Sequence, residues 1–294
     1  MEHKISSNLL TVTVSELGAE LRSIKDADDT EYLWQGDSAY WSDRAPNIFP
    51  YVARLTEGSY FLDGRLYKMQ PHGFASRELF KVVSKTENEL TFELSDNLKT
   101  YKQYPRRFSF KIKYLLDDAT LKITFSVTNL DDKTMYYGLG GHPGFNVPMT
   151  ADTEFDDYYL EFEEKCAPKR VGFTPSCYLN GDKTDFSLEN GKRIKLSHDI
   201  FSDDAIVLTD VSHKVKLTSD RGGKSVTVTF PKMNYLGIWH RPNTDAPYVC
   251  VEPWSSLPST QDEISTFETQ EDLMTLKAGK TEEYPWEITV DFLR

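Results

Sequence analysis

Glu252 follows directly on the apolar run Tyr248-Val249-Cys250-Val251 and precedes Pro253-Trp254. A carboxylate in such surroundings is costly to bury unless it is paired, and burial raises its pKa toward the range that suits a general base near neutral pH. The plainer reading is a strand end terminated by Pro253, with Glu252 turned to water. The second candidate is His142, in Gly140-Gly141-His142-Pro143-Gly144-Phe145. Glycine there permits a turn or a close approach, and Pro143 fixes its own φ while pushing His142 toward an extended conformation, so the imidazole is held rather than mobile. Together a carboxylate and an imidazole of similar pKa can take one proton and deliver another.

A second histidine repeats this local grammar in Gln70-Pro71-His72-Gly73-Phe74-Ala75, and the segment before it, 46–55, carries Asn47 and Arg54. For any single histidine a structural or surface role is the commoner outcome, and His3, His198 and His213 are read that way. Trp254, Trp239, Phe145 and Phe74 are candidate flat apolar walls, although aromatics are also ordinary core residues. Other chemistries lack their signatures. His72, His142 and Glu252 are far apart and show no short ligand spacing, so no metal is expected. The glycine pairs open no helix, which excludes a phosphate loop, and no Gly-x-Ser-x-Gly elbow occurs.

The elements that must position these residues read as strands. Polar and apolar residues alternate strictly over 120–128, with Leu121, Ile123, Phe125 and Val127 on one face. Similar short runs occur at 10–14, 90–94, 108–115, 158–162, 205–208, 215–217, 226–230, 236–239, 249–251 and 288–292, separated by turn clusters such as Asn180-Gly181-Asp182. Amphipathic helices are nearly absent, so the pattern predicts an all-β protein, an antiparallel sandwich or barrel. The polar run 258–272 reads as a long surface loop. With no linker or repeat, residues 1–294 are expected to form one domain. All-β domains commonly reach about 200–250 residues or more, and a chain of this size buries roughly 75% of its unfolded surface without staples.

The formal charge of −12, from 46 acidic and 34 basic residues, disfavours nucleic acid and anionic membranes and suits a neutral ligand. Cys166, Cys177 and Cys250 are odd in number and form no Cys-x-x-Cys pair, and Cys250 sits in a strand-like run, which argues for a reducing compartment. The N-terminus has no apolar signal core and no segment approaches the ~20 apolar residues of a membrane span, so a cytoplasmic location is expected.

Taken in order, several motifs resemble the aldose 1-epimerase, or galactose mutarotase, family. They are Gly18-Ala19-Glu20-Leu21, Phe49-Pro50 with Arg54, His72-Gly73-Phe74, Gly141-His142-Pro143 with Phe145-Asn146, Glu252-Pro253-Trp254, and 276–279 before a final strand containing Trp286. The likeness is nearest to the LacX-like bacterial branch. The resemblance implies a large antiparallel β-sandwich, the supersandwich, with a sugar in an open cleft, no cofactor, and a monomeric or homodimeric state. It implies Glu252 as base on the C1 hydroxyl and His142 as acid toward the ring oxygen. It further implies sugar contacts from Arg54 and His72, from one of Asp203 and Asp204 in Ser202-Asp203-Asp204-Ala205, and from Asn47, Phe145 and Trp254. The expected activity is interconversion of α and β anomers of a hexose. Two alternatives accompany it: a hexose 6-phosphate substrate, with Arg77 or Arg106-Arg107 as phosphate ligands, and a non-catalytic carbohydrate-binding protein that keeps the cleft.

Overall fold

In the computed structural model, residues 1–292 are described. The alternation of 120–128 becomes the central strand Thr120–Asn129, which buries Leu121, Ile123, Phe125 and Val127 and pairs with Phe108–Asp117 on one side and Thr281–Phe292 on the other. Continued pairing in both directions makes a nine-stranded antiparallel sheet running from Arg193–Lys195 to Lys81–Lys85. A second, eight-stranded antiparallel sheet runs from Leu179–Asp185 through Lys169–Phe173, Ile206–Thr209, Tyr235–Trp239 and Tyr248–Trp254 to the short pieces Gly140–Gly141 and Asn47–Ile48. Each of the strands read from the sequence is present, with ends displaced by a few residues. One six-residue α-helix, Leu98–Gln103, is capped by Asn97.

The two large sheets share one core. Val249, Val251, Leu236 and Ile238 from the eight-stranded sheet belong to the same buried cluster as Phe110, Phe125, Trp286 and Ile288 from the nine-stranded sheet. Because side chains alternate along a strand, Tyr248, Cys250, Glu252 and Trp254 then lie on the opposite face of the eight-stranded sheet. That face carries the cleft.

The strand at 249–251 is longer than its apolar run suggests. Tyr248–Trp254 passes through Glu252 and Pro253 without ending, and all seven residues are buried. Proline is accommodated because the neighbours on one side, Gly140–Gly141 and Gly144–Asn146, pair at Trp254 and at 248–250 and leave position 253 without a partner there. The plainer reading of Glu252 as a solvated strand end is therefore overturned. The run 258–272 is largely loop, as expected, but its Ser265–Thr266 pairs in parallel with Ser59–Leu62.

Candidate active site

His142 is set by the eight-stranded sheet rather than by Thr120–Asn129. Gly140 pairs with both Ile48 and Trp254, and Gly141 with Asn47, so the histidine leaves a three-strand junction. The glycine is there for close approach: a Cβ on Gly141 would sit 2.7 Å from the Trp286 ring. Gly73 plays the corresponding part beside His72. It has φ +71°, and a Cβ would lie 2.2 Å from the Phe49 carbonyl oxygen. His72 itself is left-handed at φ +61°, as is Ala53 at φ +56°. Two hydrogen bonds lock these residues together: the His72 amide donates to the Ala53 carbonyl at 2.8 Å, and the Ala53 amide donates to His72 Nδ1 at 3.3 Å. With Nδ1 accepting, the ring proton resides on Nε2.

A cleft of about 590 Å³ opens on this face, within the range of small-molecule sites. Its lining includes Arg54, His72, His142, Glu252, Trp254 and both Asp203 and Asp204. Most of the residues expected from sequence are thus brought together from segments some 200 positions apart. At the floor, His142 Nε2 lies 3.1 Å from Glu252 Oε2. The contact lacks the alignment of a hydrogen bond, and Glu252 Oε2 and His142 Nδ1 have no hydrogen-bond partner among the described residues. Glu252 is 1% exposed and His142 12%. Burial raises the Glu252 carboxyl well above the usual carboxylate range, and the Asp204 charge adds to the rise while the Trp254 indole opposes it. Burial also drives the His142 imidazole well below the ordinary histidine range, with the neighbouring His72 contributing. Burial thus disfavours the charged form of both groups. Burial, then the charges of Arg77 and Arg54, lowers His72 to about 4, so near neutral pH it is an uncharged hydrogen-bonding group.

The aromatic walls are Trp254, Trp239 and, unforeseen from sequence, Trp41. Trp41 packs over the His142 ring at 4.9 Å between centroids with a 31° tilt, and Trp239 meets His142 edge-on at 5.8 Å. Phe145 and Phe74 are not walls. Both lie in the core between the sheets, where Phe74 stacks on Phe108. Asn47 is likewise turned away from the cleft: its buried amide donates to the Gly18 and Ala19 carbonyls at 3.0 Å and meets the Tyr114 hydroxyl at 3.2 Å. It ties the strand piece beside His142 to the turn that joins Leu10–Ser15 to Leu21–Asp26. Of the arginines considered as phosphate ligands, Arg77 lines the cleft, whereas Arg106 is buried in an ion pair with Asp63.

Further lining residues, Asp43, Phe173, Cys177, Arg241 and Asn243, carry no local motif. For Trp41 the one available signal is an aromatic cluster, Trp34, Tyr40 and Trp41, around a polar stretch. Between the two aspartates, Asp204 is the one whose carboxylate acts on Glu252, and it accepts a hydrogen bond from the Cys177 thiol at 3.0 Å.

This fold of two large antiparallel sheets is shared with solved galactose mutarotase-like proteins. The chain belongs to the aldose 1-epimerase family, whose model matches residues 1–290. It is 34% identical to the plasmid-encoded protein LacX of Lactococcus lactis subsp. lactis over 305 aligned positions, covering 99% of each chain. Among solved structures it is similar to a galactose mutarotase-like protein from Lactobacillus casei, with TM-score 0.94, 33% identity and coverage of 99% and 100% of the two chains. A galactose mutarotase related enzyme from Lactobacillus acidophilus gives TM-score 0.94 at 32% identity, with both chains fully covered. No helix among the described residues is long and apolar enough to cross a membrane.

Proposed function

We propose that this protein interconverts the α and β anomers of a free hexose, with Glu252 as base on the C1 hydroxyl and His142 as acid on the ring oxygen. The observation that carries the reading is the His142–Glu252 contact of 3.1 Å at the floor of a cleft lined by Arg54 and His72. In the reactive state Glu252 is the carboxylate and His142 the imidazolium, reached by moving the Glu252 proton to His142. Glu252 then takes the proton from O1 while His142 gives its proton to O5, so the C1–O5 bond breaks as the C1 carbonyl forms. Rotation about C1–C2 and the reverse transfers close the ring on the other face. Each group contributes about 10²–10⁴-fold by general acid–base catalysis. Arg54, His72 and Asp204 hold the sugar hydroxyls, and Trp254 and Trp239 flank the ring. A sugar hydroxyl reaching the pair from the cleft side also gives the unpartnered Glu252 oxygen the hydrogen bond it lacks.

Polarimetric decay of fresh α-D-galactose and α-D-glucose tests this directly. Wild-type protein should accelerate the decay and Glu252→Gln should not; a wild-type rate equal to the buffer blank sinks the proposal. A second reading, a hexose 6-phosphate substrate, is favoured by Arg77 and Arg241 on the cleft wall. Saturable acceleration with glucose 6-phosphate and none with free sugars would select it.

A further inference from the structure

A third donor lies behind Glu252 and His142, outside the lining of the cleft. Two residues back along the same face of the strand lies Cys250, whose thiol is fully buried and free. One ligand atom from each of His142, Cys250 and Glu252 falls within 4.8 Å of the other two. Sequence spacing argued against a metal set of His72, His142 and Glu252; the strand register instead places a thiol beside the last two.

We infer that His142, Cys250 and Glu252 form a capture site for a borderline-soft divalent cation, zinc above all, and that occupation of this site switches the enzyme off. The donor set of imidazole nitrogen, thiolate and carboxylate oxygen is that of tetrahedral zinc, with bond lengths of about 2.0–2.3 Å. Such bonds place donor atoms roughly 3.3–3.6 Å apart, derived from those lengths and a tetrahedral angle. His142 and Glu252 already stand at 3.1 Å, and a spread of up to 4.8 Å needs closure of about 1 Å to bring in the thiol. Glu252 Oε2 is buried without a hydrogen-bond partner among the described residues, and so has lone pairs free for a metal. An ion arriving through the cleft meets His142 and Glu252 first and finds the sulfur behind them, with the fourth position left to water on the cleft side.

Binding releases any proton held by the Glu252 carboxyl and the thiol proton of Cys250, because each donor must present a lone pair or an anion. A metal so held occupies the Nε2 lone pair and the carboxylate, the two atoms between which a proton must move during ring opening. The bound cation and the ring-opening step therefore exclude one another. Harder cations such as magnesium, which prefer six oxygen ligands, do not fit. The inhibitory consequence rests on the mutarotase reading, whereas the binding itself does not.

Two measurements separate these. Cobalt(II), a spectroscopic stand-in for zinc, should bind wild-type protein one per chain with a thiolate-to-cobalt charge-transfer band in the near ultraviolet, displaced by zinc and absent in Cys250→Ser and Cys250→Ala. In polarimetry, micromolar zinc should abolish mutarotation and a chelator should restore it. The zinc concentration for half-inhibition should rise at least tenfold in the Cys250 variants, whose metal-free rates stay within about twofold of wild type; Cys177→Ala, which removes the other thiol of the cleft, should leave the band and the inhibition unchanged. If the cobalt band persists without Cys250, or if zinc inhibits the Cys250 variants as strongly as wild type, the site is not this one. Stimulation by zinc would overturn the switch-off role. A cobalt band in a protein with no mutarotase activity would uphold the site and refute the assigned reaction instead.

Discussion

Two histidine contacts in this molecule share a separation and differ in one respect. His198 Nδ1 and His240 Nε2 are 3.1 Å apart, the same separation as His142 Nε2 and Glu252 Oε2. In the first pair the hydrogen bonds close. His240 Nδ1 donates to the Arg241 carbonyl at 2.7 Å, so its Nε2 accepts from His198 Nδ1, and His198 stacks on Phe155 at 4.0 Å. In the second, polar atoms are left without partners at the end of a cleft. Equal distance thus marks opposite roles: a satisfied pair joins two segments of structure, and an unsatisfied pair is complete only when a ligand arrives. The satisfied pair still matters to the cleft. It links the turn preceding Asp203 and Asp204 to the residue between Trp239 and Arg241.

The sharpest way to break this comparison is to substitute each pair and read both activity and stability. Glu252→Gln should lower the mutarotation rate by about 10²–10⁴-fold. Its melting temperature at pH 8 should equal or exceed that of wild type, since folding buries a carboxyl whose pKa is raised and the amide carries no ionisation cost. A large loss of stability in this variant would place Glu252 among the structural groups.

His240→Leu should do the reverse. It leaves the His198 Nδ1 and the Arg241 carbonyl without their partner, at a cost of about 1–3 kcal/mol, or several degrees in melting temperature. Catalytic turnover should fall far less than in Glu252→Gln. The pH dependence follows with a definite sign. Burial lowers His240 from 6.5 to about 4, so below pH 6.5 the unfolded chain binds the extra proton. The contribution of His240 is therefore complete above pH 6.5 and is lost as the pH falls toward 4, by up to about 3 kcal/mol. Thermal unfolding between pH 7 and pH 4.5 should show a shallower fall for His240→Leu than for wild type; parallel curves would refute the assignment.

The smallest effect concerns a residue intermediate between the two pairs. His72 has one nitrogen satisfied by the Ala53 amide and the other free toward the cleft. His72→Asn should raise KM for the sugar by about tenfold, equal to ~1.4 kcal/mol, with kcat changed much less. In wild type KM should stay flat from pH 8 to pH 5 and rise only as His72 protonates near its value of about 4. A kcat loss as large as that of Glu252→Gln would move His72 into the proton-transfer machinery.

Much of this was legible from residue order. Period-two alternation marked the strands because a half-buried strand needs apolar side chains on one face only, and Thr120–Asn129 shows that pattern. Motif order led to His142, Glu252, His72 and Arg54, which do share the cleft. Motif proximity misled at Asn47 and Phe145. Both lie beside cleft residues in sequence, but alternation turns Phe145 to the core, and the Asn47 amide is drawn to the carbonyls of Gly18 and Ala19. Trp41, Cys177 and Arg241 were invisible because nothing local distinguishes a loop residue that lines a cavity from one that faces water.

By itself the sequence determined the all-β class, the chemistry of the reactive pair and the glycines beside the histidines, since alternation, side-chain type and missing Cβ atoms are local properties. Only the tertiary structure decided that Glu252 is buried within a strand instead of solvated at its end, that it touches His142, and that a thiol lies behind them. Those facts depend on sheet register, which brings positions 142, 250 and 252 onto one face through pairings that no stretch of the chain contains alone.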